Sequence, residues 1–253
     1  MLTGGLQDVP KSLTRRNHLT LFHTYVLTIA MTTRRIKQSD ASKTKESLLK
    51  TAERLFAEHG YDGVGMRALA DEARVNLGAA TYHYGSKEKL YKETVMLCFR
   101  PINEERMRLL RQAEKEAKGE PVPVETIIDC MLRPPFMAAL EHPYFPALFS
   151  RNLFVPPPFM QEFMAKEAPP VHEPFIAALA RTLPSLPMEV LEIRMLFSLG
   201  TLLMFLSKKP IQKSPEYWES VLKEMVAFIA AGLRAESSAD PLPTNPSKKP
   251  PVT

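Results

Sequence analysis

The stretch from residue 42 to residue 90 constrains the fold most, because it predicts a helix, a glycine stop and two very short helices joined by a tight turn. Four apolar residues at helical spacing indicate the first helix: Leu48, Ala52, Leu55 and Phe56. Gly60 follows where a left-handed C-terminal cap is expected, a conformation that glycine adopts without steric cost. Proteins use this layout to place a rigid helix in the major groove of DNA, so it points to function as well as fold.

The second helix is expected to begin after Gly65, which serves as its N-cap. Its inward-facing residues are Met66, Leu69, Ala70 and Ala73. Alanines suit this position, because two helices that cross steeply over a short contact need small side chains. In the turn that follows, Val75 is expected to fill the small core, and Asn76 is a good N-cap for the third helix.

The third predicted helix, residues 77–84, carries the side chains expected to contact DNA. The small residues Gly78–Ala80 stand at its exposed start, where they let the backbone approach base edges and thymine methyl groups. Thr81, Tyr82 and His83 offer hydroxyl and imidazole groups suited to phosphates and bases, although His83 as a plain surface residue is an equal alternative. Tyr84 lies on another face than Tyr82 and is expected in the core.

Ser86 is expected to cap a fourth helix, with Lys87 in its first turn beside free backbone N–H groups, an arrangement suited to a DNA phosphate. Ser86–Lys89 also matches the Ser-x-x-Lys pattern of serine acyl enzymes, but no companion motif follows and the cap explains the serine. Gly63–Gly65 is not a phosphate loop, since no strand precedes it. The sequence predicts no metal site and no cofactor, and it lacks the group of polar residues that a catalytic site would need.

At these residues the chain resembles the TetR family of bacterial transcriptional regulators. The similarity covers about residues 43–95 and consists of Ala52, Leu55, Phe56, Gly60, Tyr61, Leu69, Ala70, Val75, Asn76, Tyr82–Tyr84, Ser86–Glu88, Leu90 and Tyr91. The resemblance implies phosphate contacts for Tyr82 and Lys87. The predicted DNA-binding residues are Lys43, Arg67, Asn76, Leu77, Gly78, Ala79, Thr81, Tyr82, His83 and Lys87.

Arg74 departs from the family pattern, which often has glycine in this turn. A non-glycine residue held in the left-handed conformation costs on the order of 1 kcal/mol. A relaxed turn and a phosphate contact are the alternatives for this residue.

The net charge of +5 is modestly basic, and basic residues crowd ahead of the first helix. They predict a flexible arm that gains phosphate or minor-groove contacts. For Arg34 and Arg35, a solvated charged leader is an equal alternative. Cys98 and Cys130 are the only cysteines in the sequence, which favours a reducing cytoplasm over a disulfide scaffold.

Residues 1–30 superficially resemble a secretory signal, because three basic residues precede an apolar run from Leu19 to Ala30. Polar residues interrupt that run, and it is too short to span a bilayer. Met31 resembles a natural start, so residues 1–30 are interpreted as an over-long start or a disordered leader.

Beyond about residue 95 the helical spacing continues to residue 235 and no strand-like alternation occurs. Pro101 is expected to end or kink the fourth helix, and a charged, solvent-facing helix is expected over residues 102–118. Pro134 and Pro135 are expected to interrupt the helix that follows.

A stretch rich in proline and aromatic residues, 142–164, indicates either an irregular apolar cavity or a plain core with kinks. The TetR resemblance implies a small effector in this domain. Residues 100–106 and 183–187 are loosely similar to the branch that senses fatty acids or other lipophilic acids. The candidate ligand-binding residues are Arg133, Phe136, Phe149, Arg151, Phe154, Phe159, Phe163 and His172, of which Arg133, Arg151 and His172 are alternatives for an acidic head group or plain surface residues.

Two apolar helices, 188–206 and 214–234, close the domain. A monomer would leave part of both apolar stripes wet, so a two-fold four-helix homodimer interface is predicted. Gly200 permits close approach of the helices.

The sequence therefore predicts an all-α protein with an N-terminal three-helix helix-turn-helix DNA-binding domain and a C-terminal helical ligand-binding and dimerisation domain. The expected segments are a leader and basic arm (1–41), the DNA-binding domain (42–95), the second domain (96–235) and a disordered tail (236–253). The expected function is a cytoplasmic repressor that binds a palindromic operator in double-stranded DNA as a dimer and is released by a small lipophilic effector. A redox-responsive or ligand-independent DNA-binding regulator and an all-helical enzyme are the alternatives.

Overall fold

The computed structural model describes residues 40–206 and 214–237, and within these ranges the chain forms ten helices and no strand. The helices are α1 (Asp40–His59), α2 (Met66–Glu72), α3 (Leu77–Tyr84), α4 (Lys87–Ala117), α5 (Val124–Glu141), α6 (Phe145–Phe154), α7 (Pro158–Glu167), α8 (Pro169–Thr182), α9 (Met188–Leu206) and α10 (Pro215–Arg234). The all-α prediction is confirmed. The predicted leader up to residue 39, including Arg34 and Arg35, and all but the first two residues of the predicted tail lie outside the described residues. The last two residues of the predicted leader, Asp40 and Ala41, begin α1.

The described residues from Lys45 onward belong to one compact unit, and Asp40–Thr44, the first turn of α1, belong to another. Among the helices in these described parts, none is both long and apolar enough to cross a membrane.

The first three helices pack around the apolar stripe of α1, in which Leu48, Ala52 and Phe56 are fully buried. Helix α1 ends as predicted, because Gly60 has φ +74° and its N–H donates to Phe56 O at 3.0 Å. Tyr84, at the end of α3, is 1% exposed and its hydroxyl donates to Lys45 O at 3.1 Å. The prediction of a core position for Tyr84 is therefore confirmed.

Local caps define the short helices. The side-chain oxygen of Asn76 accepts a hydrogen bond from Gly78 N at 2.7 Å, and the hydroxyl of Ser86 accepts one from Lys89 N at 3.1 Å. Gly65 precedes α2 in an extended conformation, φ −97° and ψ 153°. All three predicted N-caps are confirmed, and they place the beginnings of α2, α3 and α4.

Helix α4 runs without a break through Pro101, so the prediction of a helix end there is wrong. A proline removes one backbone donor and strains the preceding turn, but buried apolar residues before and after Pro101 hold the helix together. Phe99, Ile102 and Leu110 are each at most 7% exposed. The prediction of a solvent-facing helix over residues 102–118 is wrong for the same reason, since this segment buries one of its faces. The helix also crosses the predicted domain boundary at residue 95.

Helix α5 likewise contains Pro134 and Pro135 without interruption, contrary to prediction. Pro135 has no N–H to donate to the carbonyl of Met131 one turn earlier. That carbonyl instead accepts a hydrogen bond from Nε of Arg106 on α4, at 2.8 Å. A tertiary contact thus replaces the missing helical bond, and α5 packs along α4 and α10 at the centre of the second region.

Candidate nucleic-acid interface

Helix α3 presents one exposed edge and one buried edge. Tyr82 is 86% exposed and Leu77 is 41% exposed. Gly78 and Thr81 are also exposed, whereas Ala79 and His83 are half-buried. Ala80 is completely buried, so the expectation that it lies at the exposed start of the helix is wrong: it faces the same core as Tyr84.

Tyr82 is the most prominent side chain of this edge. Its ring meets the His83 ring edge-to-face, with centroids 5.5 Å apart. The core beneath, formed by α1 and α2, holds the backbone of α3, so the phenol is carried by a rigid support. A hydroxyl on an exposed, rigid aromatic ring can donate to a phosphate oxygen at small entropic cost.

The other predicted DNA-binding residues are Lys43 on α1, Arg67 on α2, Asn76 at the N-cap of α3 and Lys87 on α4. Lys43 and Arg67 are exposed near the starts of α1 and α2. Asn76 is exposed, but its Oδ1 is engaged as the cap of α3, which leaves its amide donor group. Lysine and arginine side chains on these helices are suited to contacts with phosphates.

Lys87 has partners within the protein that the sequence did not predict. Its Nζ donates to Tyr61 O at 3.1 Å and lies 4.0 Å from the centroid of the Tyr61 ring. An ammonium group has three N–H donors, so one carbonyl leaves two for other acceptors. Tyr61 therefore orients Lys87 in the first turn of α4. The pKa of the Tyr61 hydroxyl is raised, first by burial and then by the negative charges of Glu88 and Asp62.

Arg74 adopts the left-handed conformation, with φ 56°, so the alternative of a relaxed turn is excluded. Backbone bonds hold the turn: Arg74 N donates to Asp71 O at 3.1 Å and Val75 N donates to Ala70 O at 2.9 Å. The side chain is exposed. A phosphate contact for it stays a prediction.

Arg151 joins the second region to α1. Its Nε donates to Ala57 O and its Nη2 donates to Glu58 O, both at 3.1 Å. These carbonyls belong to the last turn of α1, where helix bonds run out and the helix dipole favours a positive charge. A Cβ on Gly60 would stand 3.0 Å from Nη1 of Arg151. No local sequence signal predicts a contact across 94 residues.

Arg133 does not present a free guanidinium to a ligand. Its Nε and Nη2 donate to Asp129, and its Nη1 and Nη2 donate to Glu219, at 2.7 to 3.0 Å. Burial by itself lowers the pKa of Arg133, but the bonds and charges of the two carboxylates raise it further than burial lowers it. Arg133 and Arg151 thus both bond to other groups of the protein, and a head-group role for either stays a prediction.

The predicted pocket phenylalanines lie in different ring clusters. Phe136 stacks on Phe205 with centroids 4.9 Å apart, whereas Phe149 stacks on Phe99 at 5.2 Å. Phe159 meets Tyr61 edge-to-face at 4.8 Å, and Phe163 lies near Lys92. Phe154 is 65% exposed. The structure does not bring these residues together as one lining.

His172, the remaining head-group candidate, is half-buried on α8. Its pKa is lowered, first by burial and then by the positive charge of Arg106. The charge that acts on His172 thus belongs to Arg106, which was not among the predicted ligand-binding residues.

The cysteines give no support to a redox role. The pKa of Cys98 is raised by burial and further by Glu53, and that of Cys130 is raised to about 12, mainly by burial. Thiols react with oxidants as thiolates, which such pKa values suppress at neutral pH.

Helices α9 and α10 together carry an exposed apolar face, which we call the α9–α10 face. Leu196, Phe197, Met204 and Phe228 on it are between 63% and 71% exposed. A groove of about 360 Å³ on this face is lined by Thr201, Met204, Phe205, Val221, Met225 and Phe228. Exposed apolar area of this kind is typical of an interaction surface.

Comparison with known proteins agrees with this architecture. Two family models match: bacterial regulatory proteins of the tetR family over residues 48–94, and the tetracyclin repressor-like C-terminal domain over residues 129–232. The transcriptional repressor AcnR of Corynebacterium efficiens is 42% identical over 48 residues, 19% of this chain and 26% of AcnR. The biofilm operon regulator IcaR of Staphylococcus aureus is 32% identical over 59 residues, 23% of this chain and 32% of IcaR. The matches thus span about a third or less of these curated relatives.

Solved structures share the fold over most of the chain. The hemolysin II transcriptional regulator HlyIIR superposes with a TM-score of 0.52 at 17% identity, covering 78% of this chain and 100% of that one. The TetR family regulator PfmR of Thermus thermophilus superposes with a TM-score of 0.53 at 19% identity, covering 74% of this chain and 99% of that one. One family model covers the helix-turn-helix and the other covers the helices behind it, and the chain belongs to the TetR family of bacterial regulatory proteins.

Proposed function

We propose that this protein is a transcriptional repressor that binds a palindromic operator in double-stranded DNA as a homodimer, in the cytoplasm, and is released by a small lipophilic effector. The observation that carries the proposal is the exposed edge of α3, where Tyr82 is 86% exposed above a core of fully buried residues. A rigid helix whose exposed start is formed by Leu77 and Gly78 can approach base edges, while Tyr82 and Thr81 reach phosphates.

The α9–α10 face supports dimerisation. Its exposed Leu196, Phe197, Met204 and Phe228 would be covered by the same helices of a second copy, related by a two-fold axis. A Cβ on Gly200 would meet nothing within 4 Å in the monomer, so room for a close helix crossing exists there. An interface of about 1,500 Å² of largely apolar area, at ~25 cal/mol per Å², far exceeds the contribution of surface salt bridges.

A dimer of this kind would place its two α3 helices in successive major grooves on one side of the duplex, roughly 34–36 Å apart. An effector would act by changing that spacing. Two connections lead from the second region to the DNA-binding helices: α4, which begins at Lys87, and the Arg151 contact with the last turn of α1. A coupling free energy of ~1–3 kcal/mol lowers DNA affinity several-fold to a hundred-fold.

DNase footprinting on the promoter of the protein's own gene, with sedimentation of the same sample, tests this function. We expect protection of two half-sites and a dimeric mass. A fragment with one half-site scrambled serves as the control and should bind much more weakly. A monomeric protein, or one that ignores its promoter at low salt, contradicts the proposal.

Mobility shifts with added fatty acids, acyl thioesters or peroxide separate the remaining alternatives. Release by an acid or thioester supports the effector, release by peroxide alone supports a redox regulator, and no release supports ligand-independent binding. The family models describe regulatory proteins, which argues against an all-helical enzyme.

A further inference from the structure

Arg106 is a buried cation in the middle of α4. The residue is 4% exposed, and burial lowers the pKa of its guanidinium to about 10. Since this value still lies well above neutral pH, the side chain carries a full positive charge inside the protein. Burying a charge is unfavourable unless a partner of opposite charge or a complete set of hydrogen bonds compensates it.

The hydrogen bonds of Arg106 are incomplete and involve only neutral acceptors. Its Nε donates to Met131 O at 2.8 Å, the carbonyl that Pro135 leaves without a helical donor. Its Nη1 donates to Asn103 Oδ1 at 3.2 Å. Its Nη2 is buried and has no acceptor among the described residues. One edge of the guanidinium therefore lacks both an acceptor and a counter-charge.

The adjacent acid does not supply that counter-charge. Glu105 accepts two hydrogen bonds from Arg108, each at 2.7 Å, on the neighbouring side of α4. The ring of His172, on α8, is influenced by the charge of Arg106 but carries no negative charge itself. No carboxylate contributes to the pKa shift of Arg106, whose cause is burial alone.

The neighbours of Arg106 on its face of α4, and of His172 on α8, are apolar. Residues four positions before and after Arg106 share its face of α4, and these are the buried Ile102 and Leu110. On α8, Phe175 lies one turn after His172 and is 1% exposed. A ligand that reached Nη2 would thus present its charge to Arg106 and an apolar body to the rest of the site.

We propose that Nη2 of Arg106 anchors the carboxylate of an acidic small molecule with an apolar body, bound where α4, α5 and α8 meet. This inference rests on the proposed effector site and assigns its chemical class and its anchoring residue. Because Arg106 also donates to α5 and lies on the helix that begins beside α3, the bound carboxylate would act directly on the α4–α5 contact. A planar carboxylate suits a guanidinium edge, and charge-assisted bonds of this type are short and strong.

The test is isothermal titration calorimetry of the full-length protein, without DNA, against decanoate and decan-1-ol below their aggregation concentrations. These two probes share an apolar chain and differ in charge. We expect decanoate to bind at least about ten-fold more tightly, which is the equivalent of one strong charge-assisted bond. Equal affinities, or no binding of either probe, overturn the proposal.

The variant Arg106→Gln keeps a donor at about the position of Nε and removes both Nη2 and the charge. We expect the preference for decanoate over decanol to disappear in this variant. The matched control is Arg108→Gln, two residues further along the same helix and on another face, with a side chain 56% exposed. This control should keep the full preference. A preference that survives in Arg106→Gln overturns the proposal.

Two further measurements keep the proposal testable if Arg106→Gln fails to fold. The ¹³C NMR signal of [1-¹³C]decanoate bound to the wild-type protein should remain that of a carboxylate at pH values where the free acid is protonated. If the bound probe titrates like the free acid, the proposal is overturned. In competition, chloride should not displace decanoate at equimolar concentration. Binding of chloride without decanoate would mean an inorganic anion site and would also overturn it. Since no DNA is present, a failure of operator recognition does not affect these results.

Discussion

Two arginines of the helix-turn-helix segment and three of the helical region behind it lie in different surroundings. In the first, Arg67 and Arg74 lie exposed on the protein surface. In the second, the guanidinium groups make tertiary bonds: Arg133 to two carboxylates, Arg151 to the end of α1, and Arg106 to a carbonyl of α5. Exposed cations are suited to a polyanion, which binds through many weak contacts. Cations that already bond to other parts of the chain hold helices together or, like the buried Arg106, receive a single anion.

The largest effect is expected on the α9–α10 face. Phe197→Glu puts a charge on a surface that the proposed dimer buries, so it should abolish the dimer and lower operator affinity at least about a hundred-fold, as burial of an unpaired charge costs several kcal/mol. Sedimentation velocity and fluorescence anisotropy measure both effects. Val155→Glu, at a position 79% exposed on another part of the surface, is the control and should remain dimeric. A dimeric Phe197→Glu protein contradicts the proposed interface.

The link between the two regions is tested by Arg151→Ala. Loss of two charge-assisted bonds to α1 should lower the free energy of unfolding by about 1–3 kcal/mol. Thermal denaturation measures this loss. The control is Arg181→Ala, which removes only an exposed pair with Glu114 and should cost less than about 1 kcal/mol. Equal losses in the two variants would show that Arg151 is an ordinary surface residue.

Tyr82→Phe removes one hydroxyl from the exposed edge of α3 and should weaken binding about three- to ten-fold on every operator sequence, because a phosphate contact carries no sequence information. Tyr84→Phe is the matched control: it removes the buried bond to Lys45 O, so it should lower stability and not DNA affinity. If Tyr82→Phe binds with wild-type affinity, the phosphate role assigned to Tyr82 is wrong.

Lys87→Ala should also weaken binding uniformly, with a smaller salt dependence. Removing one phosphate contact lowers the slope of log K against log [salt] by about 0.9. Because Lys87 Nζ also bonds to Tyr61 O, some stability will be lost in addition. Lys92→Ala, in the next turn of α4, controls for the loss of a lysine. An unchanged slope in Lys87→Ala contradicts the phosphate contact.

The smallest effect is expected in the turn. Arg74→Gly removes the steric strain of a left-handed arginine, which is about 1 kcal/mol. Glycine also raises the conformational entropy of the unfolded chain, which favours unfolding by a similar free energy, so stability should change by less than about 1 kcal/mol. DNA affinity decides whether the exposed guanidinium reaches a phosphate. A loss of affinity with a lower salt slope supports the contact, and an unchanged affinity excludes it.

The predictions of helix caps succeeded, because a cap is formed by residues close in sequence. The caps at Asn76 and Ser86 and the glycine stop at Gly60 depend on one helical turn each, so the local pattern is sufficient. Prediction failed at Pro101, Pro134 and Pro135, where propensity favours a helix end but packing against distant helices keeps the helix continuous. It also failed to assign partners to the arginines.

The amino-acid sequence by itself determined the helical class, the helix-turn-helix and the opposite orientations of Tyr82 and Tyr84, because apolar spacing and caps act within a few residues. Only the tertiary structure decided which charges are buried and what they contact. Arg106 and Met131 are 25 residues apart, and Arg151 and Ala57 are 94 apart. Contacts at such separations depend on how whole helices pack, and a guanidinium can satisfy its donors on any neighbouring carbonyl, so no local pattern specifies them.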